Sequence, residues 1–279
     1  MRITEEQERI LGSLHCERLS SNVDNFRLVD DFYNGRNPSI VNTLQNEAYE
    51  DDANHRVAYY VVKNNSGEIL FYFSLKCGLL YDEFLEGDRL LDMKAFYEHI
   101  FQLSKDPSLQ GTDKDAINAI LEKARTKKGL KKLEVARALH LSLDSEELLK
   151  IFGENNKNVG TTFAGVEIVH FCANEAYRDF WYQTGIHQKL GTVVFWQFIV
   201  PKILDLMEIV GCEYLFLFAA DLSEDADLVN YYVDNLEFID ASAATPMYDF
   251  ACRFLCQETS TLQERRTSFF EHFNPDEEV

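Results

Sequence analysis

Residues 166–173 read VEIVHFCA, residues 185–192 read GIHQKLGT, and an apolar run continues from there to Leu206. The first segment has the alternation of a half-buried strand, and the second is a glycine-containing loop that opens a long helix over residues 190–209. A further apolar segment, Cys212 to Ala219, predicts a second strand. A strand, a long helix and another strand in this order predict an α/β fold: a mixed central sheet with helices on both faces.

The amino-terminal part adds helices and a hairpin to this unit. Residues 1–14 predict a helix, and a second helix is predicted from Ser39 to Asp52, because Pro38 suits a first helical turn. Strands are predicted over residues 57–63 and 68–75, and the turn-forming residues between them predict a β-hairpin.

Between this hairpin and the strand at residue 166 the pattern changes to charged helical segments. Helices are predicted over residues 90–103, 115–127 and 145–152. A basic stretch in this region contains Lys123, Arg125, Lys127, Lys128, Lys131, Lys132 and Arg137. It predicts a solvated helix face; the alternatives are a clamp for coenzyme phosphates and a nucleic-acid contact, since residues 130–152 have a helix-turn-helix-like spacing.

The carboxyl-terminal part predicts a helix over residues 224–236, then strands around Phe238 and over residues 247–255. The sequence thus predicts a single domain. Its core comprises residues 1–80 and 159–257, its helical insert residues 81–158 and its helical tail residues 258–279.

Composition narrows the class of protein. An apolar content of 46% with 21 phenylalanines predicts a packed core, and the charged first 25 residues lack the apolar segment of a signal peptide. The run from Thr192 to Leu206 is too short and too charged to span a membrane. The six cysteines show no paired motif, and Cys252 and Cys256 on one strand lie too far apart for a disulfide. These features predict reduced thiols in a cytoplasmic protein without a membrane partner.

The loop before the long helix has the chemistry of an anion site. A glycine-containing turn at a helix start directs free N–H groups and the positive end of the helix dipole to one point. A diphosphate fits there, and His187 or Lys189 can screen its charge. The alternative interpretation is an ordinary loop with a glycine at the helix start.

These segments resemble the GNAT superfamily of N-acetyltransferases. Gln188-Lys189-Leu190-Gly191 is similar to the family's Arg/Gln-x-x-Gly-x-Gly/Ala loop, with Val193 in the last position. Residues 225–238 resemble the family segment Asn-x-x-Ala-Ile-x-Phe-Tyr-x(n)-Gly-Phe, with Asp225 for Asn and Glu237 for Gly. Residues 37–75 resemble the opening of toxin-type GNAT proteins.

The resemblance implies acetyl-coenzyme A as cosubstrate and no metal. It implies a coenzyme site that contains Phe171, Cys172, Ala173, His187, Gln188, Lys189, Leu190, Gly191, Thr192 and Asp225. Peptide N–H groups after His170 would bind the pantetheine and the developing oxyanion. Tyr232 falls on the tyrosine that protonates the departing thiolate; the alternative is that Tyr231 and Tyr232 are core aromatics.

An ammonium acceptor must lose a proton before it attacks a thioester, so a carboxylate in the sheet cleft is the expected base. Glu167 is the first candidate and His170 the second; the alternative is that Glu167 faces solvent. The expected reaction is acetyl transfer to a primary amine by direct attack in a ternary complex.

The acceptor is predicted mainly from charge. A net charge of −20 favours a small-molecule or protein amine, such as a polyamine or an aminoglycoside-like molecule, and makes nucleic acid an unlikely partner. Two alternatives stay open: a toxin-type enzyme that acetylates aminoacyl-tRNA, and a non-catalytic module that binds coenzyme A. The departures at Val193, Asp225 and Glu237 leave the second alternative open.

Overall fold

The computed structural model describes residues 3–81, 90–126, 129–152, 158–159, 162–221, 223–241 and 252–274. Within them, seven strands form one mixed sheet in the order β1-β2-β3-β6-β7-β9-β8, and β4 and β5 form a separate pair. The strands are β1 His15–Arg18, β2 Ala58–Lys63, β3 Ile69–Tyr81, β4 Leu130–Lys131, β5 Asn158–Val159, β6 Thr162–Ala173, β7 Tyr214–Ala220, β8 Ile239–Asp240 and β9 Cys252–Glu258. The pair β6 and β7 is parallel, whereas the other neighbours in the sheet are antiparallel.

Helices cover both faces of the sheet, as the sequence predicts. The described helices are α1 Glu5–Gly12, α2 Asn25–Leu28, α3 Pro38–Asn46, α4 Ala48–Ala53, α5 Leu90–Ser104, α6 Gly111–Thr126, α7 Lys132–Ala138, α8 Glu146–Phe152, α9 Arg178–Gln183, α10 Leu190–Ile209, α11 Asp227–Leu236 and α12 Leu262–Glu271. On one face, α10 and α11 bury Trp196 and Leu236 against the sheet. On the other, Leu44 of α3 packs with Tyr59 and Tyr72.

Helix α10 is longer than the apolar run that predicts it. Its twenty residues are long and apolar enough to cross a membrane by length and composition alone. In the fold, however, α10 is a core helix, because Val193, Trp196 and Ile203 are each no more than 1% exposed. A π-helical turn, Phe195–Ile199, precedes Pro201, whose nitrogen cannot donate a helical hydrogen bond.

Two local predictions near the amino terminus are wrong. The helix predicted from Ser39 to Asp52 is divided into α3 and α4, and the break lies at Glu47 (φ −121°). Strand β1 is absent from the prediction, because its four residues HCER carry no apolar alternation. It pairs with the edge of β2, so tertiary pairing rather than local pattern makes it a strand.

The insert contains a small apolar core of its own. Helices α5 to α8 lie between β3 and β6, and their buried side chains form a cluster separate from the two cores of the sheet. The predicted helices are present, with α7 and the pair β4–β5 in addition. The end residues of β3 and β6, Tyr81 and Thr162, are register partners, so the insert interrupts a long hairpin at its tip.

The carboxyl-terminal predictions are confirmed where the structure describes them. Strand β9 begins at Cys252; the predicted part from Met247 to Ala251 lies outside the described residues. All six cysteines are free, as predicted. In α12, Arg266 donates to the carbonyl of Trp196, which attaches this helix to α10.

Candidate functional site

The parallel strands β6 and β7 separate part of the way along the sheet. Their register comprises the pairs Gly165–Tyr214, Val166–Leu215 and Glu167–Phe216, and it ends there. Beyond this point β6 stays paired with β3 as far as Ala173, and β7 stays paired with β9. The second half of β6 therefore has an edge without a strand partner among the described residues.

A β-bulge at Val169 marks the separation. Ser74 pairs with His170 and Leu75 with Ile168, so Val169 is an extra residue in β6. A bulge bends its strand and reverses the side-chain alternation beyond it. As a result Glu167 and His170, three residues apart, lie on the same face of the sheet, opposite α10.

The free edge of β6 presents backbone hydrogen-bonding groups. The N–H groups of His170 and Asn174 point towards β3, where they donate to Ser74 Oγ (3.1 Å) and to the carbonyl of Leu70 (2.8 Å). Because N–H groups alternate along a strand, those of Phe171 and Ala173 point to the open side. The carbonyl of Ala173 accepts a bond from Asn34, and the amides of Phe171 and Ala173 form the open edge.

Helix α10 begins beside this edge. Lys189 is its N-cap residue and makes no side-chain capping bond, so the first N–H groups have no partner within the helix. A Cβ added at Gly191 would lie 3.1 Å from the Phe171 ring and 2.6 Å from the Tyr231 hydroxyl. Glycine is required here because a strand side chain and a helix side chain both press against its Cα.

Two consecutive tyrosines of α11 complete the cluster and point in different directions. The Tyr231 hydroxyl lies 3.2 Å from Thr192 Oγ1, and Lys189 Nζ lies 4.8 Å from the Tyr231 ring. Tyr232 is 7% exposed, and its ring lies 6.0 Å from that of Phe171. Burial raises the pKa of both phenols, so both stay protonated at neutral pH. Tyr232 belongs to the buried core cluster and Tyr231 packs against it, as the alternative of two core aromatics expects.

The start of α11 differs from the predicted arrangement. Asp221 accepts hydrogen bonds from the N–H groups of Leu228 and Val229, each at 2.9 Å, and from Ser223. Although desolvation raises the pKa of Asp221, these bonds lower it overall. The side chain of Asp225, the residue predicted from the motif, is exposed, and its carbonyl accepts from Asn230. Asp221 was missed because it lies outside the motif.

The two candidate bases have different environments. Burial raises the pKa of Glu167, and Lys76, its register partner on β3, partly opposes this. Burial lowers the pKa of His170, which Asp51 partly opposes. The Nδ1 atom of His170 lies 2.8 Å from Ser74 Oγ, and its ring stacks on Tyr59 at 5.5 Å. A half-buried carboxylate and a largely neutral imidazole therefore share one face.

The remaining predicted residues lie around the start of α10. Gln188 is held in place, since its carbonyl accepts from Trp181 and its side chain donates to the carbonyl of Phe273. His187 and Lys189 are exposed, whereas Gly191 and Thr192 are buried. Burial raises the pKa of the Cys172 thiol to about 12, and by the alternation described above its N–H points towards β3 and not to the open side. Among the described residues, no group of three or more His, Cys, Asp or Glu could hold a metal ion.

Comparison with known proteins finds solved structures with a similar fold. No family model and no curated protein sequence matches the chain. A solved bacterial toxin is similar over 90% of this chain and 94% of its own, at 11% identity and a TM-score of 0.51. A mutant of the AtaT toxin bound to the C-terminus of the antitoxin AtaR and acetyl-CoA is similar over 91% of this chain and 99% of its own, at 12% identity and a TM-score of 0.48.

A further solved structure, AtaT complexed with acetyl-methionyl-tRNAfMet, is similar over 90% of this chain and 98% of its own, at 14% identity and a TM-score of 0.45. At such identities the likeness establishes the fold, and the expected GNAT-like architecture is confirmed.

The prediction that nucleic acid is an unlikely partner is wrong. The structure of AtaT, which is similar to this chain, has been solved in complex with a tRNA. The prediction rested on the net charge of −20. Net charge sums over every face of a protein, whereas a contact depends on charges within a screening length of about 8 to 10 Å. A strongly acidic chain can therefore keep a local surface that accepts a phosphate backbone.

Proposed function

We propose that this protein transfers an acetyl group from acetyl-coenzyme A to the α-amino group of an aminoacyl-tRNA. The observation that carries the proposal is the free edge of β6 next to the uncapped start of α10. The extended amide chain and the diphosphate of coenzyme A require these two kinds of binding group.

The residues at this place fit the coenzyme. The Phe171 and Ala173 amides are oriented to bond to the pantetheine arm, and the N–H groups of Leu190, Gly191 and Thr192 to bind the diphosphate. Exposed Lys189 adds a positive charge beside them. Acetyl-coenzyme A would supply the thioester carbonyl, and the described residues would orient it and move protons.

Tyr232 is proposed as the general acid. Its ring packs beside Phe171, whose backbone forms the free edge, so the phenol lies near the path of the coenzyme's thiol end. A protonated phenol can donate to a thiolate as the carbon–sulfur bond breaks. Glu167 is proposed as the base. Burial raises the pKa of its carboxyl group, which brings that pKa closer to the pKa of the ammonium group from which it must take a proton.

An aminoacyl-tRNA acceptor is supported by two features, one in the site and one in the insert. The Glu167 carboxylate can bind an ammonium group, and the His170 ring can bind a polar atom next to it. In the insert, Lys131 and Arg137 are exposed on the β4–α7 segment, within the basic stretch that starts at Lys123. AtaT, which has a similar fold, binds acetyl-methionyl-tRNAfMet, and we propose the same class of acceptor here.

The test measures thiol release from acetyl-coenzyme A with a mixed pool of charged tRNA, the same pool deacylated, and a panel of polyamines and aminoglycosides. Release that requires charged tRNA, together with an acetylated α-amino group in the recovered aminoacyl ester, supports the proposal. Release with the small amines but not with charged tRNA would overturn the acceptor. Calorimetry that shows no binding of acetyl-coenzyme A at millimolar concentration would overturn the activity itself.

A further inference from the structure

The hydrogen bonds around Ser74 fix the proton position of the His170 ring. Ser74 is fully buried, and its Oγ accepts the main-chain N–H of His170 at 3.1 Å. The same oxygen lies 2.8 Å from His170 Nδ1. That oxygen already accepts the His170 N–H, and among the described residues no other acceptor lies within hydrogen-bond distance of the serine proton, so the proton is donated to Nδ1, which acts as the acceptor. A neutral imidazole then carries its own proton on Nε2.

The ring is also fixed in orientation. Tyr59 stacks on it at 5.5 Å, and Tyr72 lies at 6.0 Å in a tilted arrangement. Both tyrosines are buried on the face covered by α3. Among the described residues, none forms a hydrogen bond with Nε2. His170 therefore presents one donor, held by a serine and an aromatic stack, and that donor is free.

This donor lies on the same face as the proposed base. The bulge at Val169 places Glu167 and His170 where next-but-one residues of a regular strand would be, at a spacing of about 7 Å. A carboxylate and an N–H donor at this spacing fit a molecule that has an ammonium group and a carbonyl oxygen a few bonds apart. Alkylamines and polyamines lack the carbonyl, whereas α-amino esters and amides have it.

We propose that His170, held by Ser74 with its proton on Nε2, donates a hydrogen bond to the carbonyl beside the acceptor amine and thereby selects α-amino esters and amides. The inference rests on the proposed acetyl transfer and adds the group that recognises the acceptor. It also separates the two candidate bases, because an Nε2 that carries a proton cannot take one from the amine. Glu167 is then the base, and His170 is a specificity-determining residue.

The activity test uses pairs of acceptors that differ by the carboxamide group on the α-carbon: phenylalanine amide with phenethylamine, tyrosine amide with tyramine, and methionine amide with 3-(methylthio)propylamine. In His170→Phe, which keeps an aromatic ring for the stack, kcat/KM for the amides should fall about ten-fold while that for the simple amines is retained. His170→Gln, which restores an N–H donor, should recover part of the preference. Tyr59→Phe is the matched control and should leave the preference unchanged.

A spectroscopic test does not depend on activity. In the ¹⁵N NMR spectrum of the full chain with labelled histidine, His170 should show a protonated Nε2 and an unprotonated Nδ1, and in Ser74→Ala the Nδ1-protonated form should become more populated. A wild-type ring protonated on Nδ1 would overturn the inference whether or not the protein turns over. An unchanged amide preference in His170→Phe would also overturn it. If wild-type protein uses neither the panel nor charged tRNA, the proposed function fails, and the NMR result still decides the tautomer.

Discussion

Strand β6 has two halves of similar length and different surroundings. In the first half, Thr162 to Glu167, the backbone pairs with β3 on one side, and residues 165–167 also pair with β7 on the other. In the second half, Ile168 to Ala173, β6 pairs with β3 and the β7 side is open. In the first half, a Cβ at Gly165 would lie 2.9 Å from the Phe216 ring. In the second half, Phe171 packs against Gly191 and Tyr232. The closed half stabilises the sheet, whereas the open half keeps hydrogen-bonding groups free for a ligand.

The largest effect should follow from a change beside the open half. Tyr232→Phe removes a hydroxyl and keeps the ring, so coenzyme affinity should persist while kcat falls by about 10² to 10⁴, the usual loss for a positioned acid. Stopped-flow thiol release and calorimetry measure the two quantities separately. Tyr231→Phe is the control, because it removes only the contact with Thr192 and should affect coenzyme KM more than kcat. A wild-type kcat in Tyr232→Phe, with chemistry rate-limiting, would contradict the assignment.

Glu167 belongs to the last residue pair that joins β6 to β7, and its role as a base should appear in the pH dependence of kcat/KM. Burial raises its pKa, and a base works only when deprotonated, so kcat/KM should fall as the pH decreases through this raised pKa, above the ordinary value of about 4.3. Glu167→Gln should lose about 10² in kcat/KM together with that acidic limb. Lys76 lowers the pKa of Glu167, so Lys76→Met should move the limb to higher pH. An acidic limb that persists in Glu167→Gln would assign the base elsewhere.

Matched glycine substitutions compare the halves directly. Gly191→Ala forces the Tyr231 hydroxyl and the Phe171 ring away from the start of α10, and we expect the Kd for acetyl-coenzyme A to rise about ten-fold, the cost of one or two lost hydrogen bonds. Gly165→Ala meets Phe216 instead and should lower the free energy of unfolding by about 1 to 3 kcal/mol while the Kd stays unchanged. Calorimetry and denaturant titration measure both. The reverse pattern would show that the open half is structural and the closed half binds coenzyme.

Deletion of the insert should have the smallest effect on coenzyme binding. Tyr81 and Thr162 are register partners, so an Asn-Gly turn can join β3 to β6 in place of residues 82–161. The helices of the insert pack in their own cluster, and β6 continues from Thr162 to Phe171 over roughly 30 Å, so the open half should keep its coenzyme Kd. Acetylation of charged tRNA should fall if the insert contacts the acceptor. A folded variant without coenzyme binding would show instead that the insert supports the open half.

Much of the fold follows from local pattern. The apolar alternation of β2, β3 and β6 and the long apolar helix α10 are visible because each buries a continuous face, which imposes a period on the sequence. Strand β1 and the break at Glu47 are not visible, since neither has a period of its own. The glycine at residue 191 is visible as a motif, but the reason for it, contact with Phe171 and Tyr231, is not.

By itself the sequence determined most of the order of strands and helices, the glycine-containing loop before α10 and the pair of tyrosines, because these depend on residues close together in the chain. Only the tertiary structure decided where β6 leaves β7, that the bulge at Val169 places Glu167 and His170 on one face, and that Ser74 rather than a neighbour in sequence holds the His170 ring. Each of these depends on register between strands, and a shift of one residue reverses the face of every side chain beyond it. Register is set by pairing across distant segments, so local pattern does not encode it.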